Sequence, residues 1–120
     1  MGLFRNARRS AARDQFVELY LAAMDEAMNI DADLSSGNIR SMPATALRAS
    51  RAFAMAAESA DLGLRDHRVV GWCRQMSAGC LRFSERAFAG TAEQGTAEYD
   101  LLHSTVEQNS QALADYLGRT

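Results

Sequence analysis

The sequence predicts an all-α fold, a four-helix antiparallel (up-down) bundle in a single domain, and three observations carry that expectation. Four stretches repeat apolar residues at helical spacing, the single proline and most of the eight glycines fall between them, and no run of four residues alternates apolar with polar. Strands are therefore not expected. A chain of 120 residues fits one domain and is large enough to close a core without disulfide or metal staples.

The first helix is expected over about residues 10–29, with Phe16, Tyr20, Ala23, Met24 and Ala27 on one face and Glu18, Asp25 and Asn29 on the other. A stripe that wide suits a core-facing bundle member better than a narrow coiled-coil seam. Residues 1–9 precede it, and Arg5, Arg8, Arg9 and Arg13 either extend the helix or form a flexible basic arm. Residues 30–41 then read as a connection, since Asp31, Asp33, Ser35, Ser36, Gly37 and Asn38 favour turns. Their spacing resembles a calcium loop only at its start: Ser36 stands where the turn glycine belongs and Met42 where the bidentate glutamate belongs.

Ser41 and Pro43 signal the start of a second helix over about 42–62, because a hydroxyl can cap a free amide and proline fits the first turn. One of its faces collects Ala46, Ala49, Phe53, Ala56, Ala57 and Ala60, and alanine lets a neighbouring helix come close. Leu47, Met55 and Leu62 lie on the other side, among Arg48, Arg51 and Glu58. A simple bundle offers that second stripe no partner. Gly63 is expected to end the helix in the left-handed conformation, with Leu64 folding back.

A third helix over about 66–89 carries Val69, Trp72, Cys73, Met76, Cys80, Phe83 and Ala87 on its main stripe. Gly71 and Gly79 inside it each cost about 1 kcal/mol relative to alanine, so each calls for a packing reason. The fourth helix, over about 91–117, opens on Thr91 and Gln94 as a capping box, with Thr96 as a competing start, and buries Tyr99, Leu102, Val106, Leu113 and Leu117.

Cys73 and Cys80 lie seven residues apart on one helix, about 10 Å along its axis and beyond bridging distance, so they read as buried thiols. Charge is sorted: residues 14–33 hold six acids and no base, 64–90 five arginines against two acids, and 91–120 one base against five acids. Oppositely charged antiparallel neighbours would help set packing order. All thirteen basic residues are arginine, a bias that a GC-rich coding sequence explains as easily as selection on the protein, so it carries no functional weight.

A net charge of −2 and a pI of 5.6 argue against a dedicated nucleic-acid binder, although the arm and Arg65, Arg68, Arg74, Arg82 and Arg86 supply basic side chains. No segment approaches the ~20 apolar residues of a membrane span and no leader is evident, so a cytoplasmic protein is expected. Leu3 and Phe4 in a short arm would hold a membrane surface only weakly. No cofactor and no metal site is expected. Asp100, His103 and Glu107 share a face of the fourth helix but lie opposite its apolar stripe.

The residue pattern thus points to a non-enzymatic helical protein-interaction module that pairs with itself as a dimer or with another helical protein. The candidate face is Leu47, Arg51, Met55 and Leu62. Two alternatives stand beside it. Trp72, Met76 and Phe83 are candidates for a ligand pocket between helices. His67-Arg68-Val69-Val70-Gly71 resembles the histidine-to-glycine spacing of histidine-phosphotransfer domains, four-helix bundles of about this size. That resemblance covers five positions and implies that His67 accepts a phosphoryl group, with Arg74 offsetting its charge. It departs from the family at Val70, where a basic residue is usual, and at Trp72, where a small one is.

Overall fold

Alanine on the second amphipathic segment decides how near its neighbours can come, and the bundle is built around that face. The computed structural model describes the backbone of residues 2–119 and the side chains of residues 7–119. Its helices are α1 (Gly2–Ser36), α2 (Met42–Ser59), α3 (His67–Arg86) and α4 (Ala92–Arg119), running up-down-up-down with no strand among the described residues. Ala46, Ala49, Ala56, Ala57 and Ala60 are all at most 2% exposed, and α2 packs backbone-close against both α1 and α3. Phe16, Phe53, Met76, Phe83 and Leu113 fill the remaining core.

α1 is longer than the sequence suggests at both ends. Residues 30–36, expected as a loop, add nearly two turns of helix, because Ile30 is fully buried and the turn-favouring carboxylates find tertiary partners. Asp31 accepts a hydrogen bond from the Tyr99 hydroxyl, and Asp33 accepts one of 2.7 Å from Thr45. The helix stops where Gly37 takes a left-handed φ of 74°. There the Asn38 amide donates to the Asp33 carbonyl at 2.8 Å and the Gly37 amide to Leu34 at 3.2 Å, a Schellman cap. A single 3₁₀ turn, Ile39–Ser41, leads into α2.

At the other end the basic arm is helical backbone from Gly2, while the side chains of Leu3, Phe4 and Arg5 lie outside those described. Arg13 donates to the Leu117 carbonyl at 3.2 Å, placing a cation at the negative end of α4. The 35 residues of α1 account for most of the long axis of a rod measuring 59 × 20 × 19 Å.

The end of α2 also differs from expectation. Gly63 is not left-handed; it sits in a π turn, Ala60–Leu64, and Arg65 takes the left-handed conformation instead at φ 53°. Close approach explains the glycine, since a β-carbon there would lie 3.1 Å from that of Ala12 on α1. Asp66 caps α3 by accepting from the Arg68 amide at 2.9 Å, and α3 ends at Arg86, three residues early. Thr91 opens α4 by accepting from the Gln94 amide at 3.2 Å. Gln94 turns its side chain to the Arg86 carbonyl at 3.4 Å rather than closing the box.

Sorted charge appears as cross-helix pairs: Glu26 on α1 with Arg48 on α2 at 3.4 Å, and Arg82 on α3 with both carboxylate oxygens of Glu98 on α4 at 2.9 and 3.1 Å. Between α1 and α4 the backbones stay apart. Larger side chains hold that seam, leaving a groove of about 260 Å³ over Met24, Met28, Leu102 and Val106.

Candidate interaction face on the second helix

Taking 100° per residue, Leu47, Arg51, Met55 and Glu58 fall within an arc of about 80°, opposite the buried residues of α2, and Leu62 follows in the π turn that continues it. Leu47 is half-buried, Met55 is 57% exposed and Leu62 is 70% exposed, which puts two large apolar side chains in water on one helix face. Arg51 and Glu58 form no ion pair or hydrogen bond among the described residues. The bundle itself therefore leaves this stripe without a partner.

Alongside it runs a shallow groove of about 630 Å³ between α2 and α3, floored by Ala54, Ala57 and Ala78 and edged by Asp61, Leu62, Arg74 and Leu81. Two reciprocal hydrogen bonds, each from a serine hydroxyl to the other's carbonyl at 2.8 Å, tie Ser50 to Ser77 beneath it. Small residues on its floor keep the groove open, so a side chain from outside can enter it. Glu58 and the groove were not singled out from the sequence, although the order of arginine, methionine and glutamate along one face was available as a signal.

His67 is the exposed first residue of α3. Gly71, one turn on, leaves open space where a β-carbon would stand, and Arg74 is exposed about 10 Å from His67 along the axis. Arg68 is committed to Asp66 at 3.2 Å and lies over the Tyr116 ring.

Trp72, Met76 and Phe83 do not surround one opening. Trp72 is half-buried against Tyr116, Met76 is fully buried, and Phe83 lies at the opposite end of α3, edge-on to Phe88 and Tyr99. Phe83 borders a cleft of about 450 Å³ shared with Leu34, Ile39, Met42 and Phe88. That cleft forms because α1 continues past Ile30, which the sequence reading did not foresee.

The basic side chains are dispersed. Arg9, Arg13 and Arg65 meet at one end of the bundle, but Asp66 and Leu117 line the same notch. Arg82 is engaged by Glu98, and the guanidinium bonded to it lowers the Glu98 carboxyl from its ordinary pKa. On α4, His103 and Glu107 stand 3.7 Å apart on a solvated face, and no group of three metal-ligating side chains occurs among the described residues. Nor is any helix there long and apolar enough to cross a membrane. No family model matches the chain, and comparisons with curated proteins and with solved structures likewise find no match.

Proposed function

We propose that this protein is a non-enzymatic interaction module that self-associates through the outer face of α2. The stripe of Leu47, Arg51, Met55 and Leu62 supports it, because large apolar groups exposed beside Arg48, Arg51 and Glu58 lose solvent only by meeting another surface. The aligned charge of Arg51 and Glu58 adds a means of selecting that surface. Phosphotransfer has less in its favour: the cation beside His67 is already tied to Asp66, and Arg74 lies two turns away. Two free, buried thiols suit a reducing compartment and hence the cytoplasm.

The test is light scattering behind size exclusion, on wild type and on the double variant Met55→Glu, Leu62→Glu, with helicity checked by circular dichroism. Both side chains are exposed, so the variant is expected to fold. A wild-type dimer that becomes a folded monomer is the expected result. An assembly untouched by both substitutions would remove α2 from consideration.

A further inference from the structure

Resting on the reading of α2 as an assembly face, we infer that its occupant is a second copy of this chain, docked antiparallel about a two-fold axis crossing α2 between Ala54 and Met55. The order of residues along the stripe is self-complementary about that point. A two-fold axis sets each residue opposite the one equally far on its other side. Leu47 then meets Leu62 of the partner subunit, Arg51 meets Glu58 of the partner subunit, and Met55 meets Ala54 of the partner subunit. Each contact occurs twice, giving a seam of about 22 Å with leucines at both ends, ion pairs inside them and a large-on-small centre.

The charges choose this arrangement over others. In a parallel pair Arg51 would face Arg51 and Glu58 would face Glu58, two like-charge contacts at the heart of the seam. Sliding the antiparallel pair by one turn sets Arg51 against a leucine and Glu58 against Met55, so both ion pairs are lost. Arg51 and Glu58 can pair because neither has an ionic partner among the described residues of its own bundle.

The groove beside α2 supplies the shape. Ala54, Ala57 and Ala78 leave room for Met55 of the partner subunit. The Ser50–Ser77 bonds and the bond of Ser84 to the Pro43 carbonyl fix the register of α3 against α2, and this sets Leu81 level with Leu47. Leu81, 40% exposed on the groove's edge, extends the seat for Leu62 of the partner subunit. A seam two helices wide lies toward the small end of stable interfaces, so the dimer should dissociate on dilution and weaken with salt.

Charge reversal tests this on the intact chain by sedimentation velocity at low and high salt. Wild type is expected to approach twice its 13.1 kDa mass as concentration rises. Arg51→Glu and Glu58→Arg should each weaken dimerisation at least about tenfold, since each turns two attractions into two repulsions. Combining them in one chain should restore the dimer, and mixing the two single variants should give the heterodimer. If Met55→Glu, Leu62→Glu abolishes the dimer while neither charge reversal changes it, the antiparallel register is overturned and the α2 face stands. If the dimer survives Met55→Glu, Leu62→Glu, the face itself is overturned along with the register. A wild type that stays monomeric at every concentration overturns the second-copy assignment.

Discussion

Two glycines sit inside α3, and the structure assigns them opposite reasons, which a pair of alanine substitutions can separate. A β-carbon at Gly71 meets nothing within 4 Å, and its φ is not positive. Gly71→Ala should therefore gain the ordinary helix-propensity difference, about 1 kcal/mol, with no steric charge against it. At ~2.1 cal/mol/K per residue, 120 residues unfold with roughly 250 cal/mol/K, so that gain raises Tm by about 4 °C. At Gly79 the same β-carbon would lie 3.3 Å from Cγ2 of Thr105 and 3.6 Å from Cδ1 of Leu102. Thr105 is held by its hydroxyl bond to the Leu101 carbonyl at 2.8 Å, so its methyl does not swing aside without losing that bond. Gly79→Ala should gain clearly less than Gly71→Ala or lose stability outright. Thermal unfolding by far-ultraviolet circular dichroism, at one protein concentration, gives both numbers. An unchanged or lowered Tm for Gly71→Ala, or an equal gain at Gly79, would refute the assignment of close α3–α4 approach to Gly79 and open space to Gly71.

Two further outcomes are expected. Arg68 holds the Asp66 carboxyl down to about 2 from an ordinary 3.8, so the stability that Asp66 contributes is present above about pH 4 and is lost as pH falls toward 2. Denaturant melts of wild type and Asp66→Asn should thus differ at pH 6 and converge near pH 2, and a difference that persists there would count against the ion pair. Burial pushes both Cys73 and Cys80 up to about 12 from an ordinary 9. Their burial stabilises the fold below about pH 9 and ceases to as pH rises toward 12, and a thiol reagent at pH 8 should label neither until the protein is unfolded. Rapid labelling of the native protein would mean that α3 opens locally.

Helix number, class and most of the core were legible because apolar spacing reports directly on the face a helix buries. Boundaries were less so. The polar run from Asp31 to Asn38 looks like a loop by local preference, yet the hydroxyls of Thr45 and Tyr99, on other helices, donate to its carboxylates and keep it helical up to Gly37. Gly63 carried a correct signal with the wrong reason attached: it marks the place where α2 must touch Ala12, and the left-handed turn falls two residues later at Arg65. The candidate face was readable as a stripe left over after the alanine face was assigned. Its groove was not, because Ala78 and Leu81 reach it only through the packing of α3 on α2.

By itself the sequence determined that the chain forms amphipathic helices, which residues of α2 face inward, and that a second apolar stripe of Leu47, Met55 and Leu62 lies on the other side. Those properties follow from periodicity and side-chain size, which act within one helix. Only the tertiary structure decided how far α1 extends, that α1 and α4 close through side chains while α2 sits tight between its neighbours, and where the end cleft and the α2–α3 groove open. These depend on contacts between segments far apart in the chain, whose partners no local pattern names, and the size of the side chains meeting there sets each helix-to-helix distance.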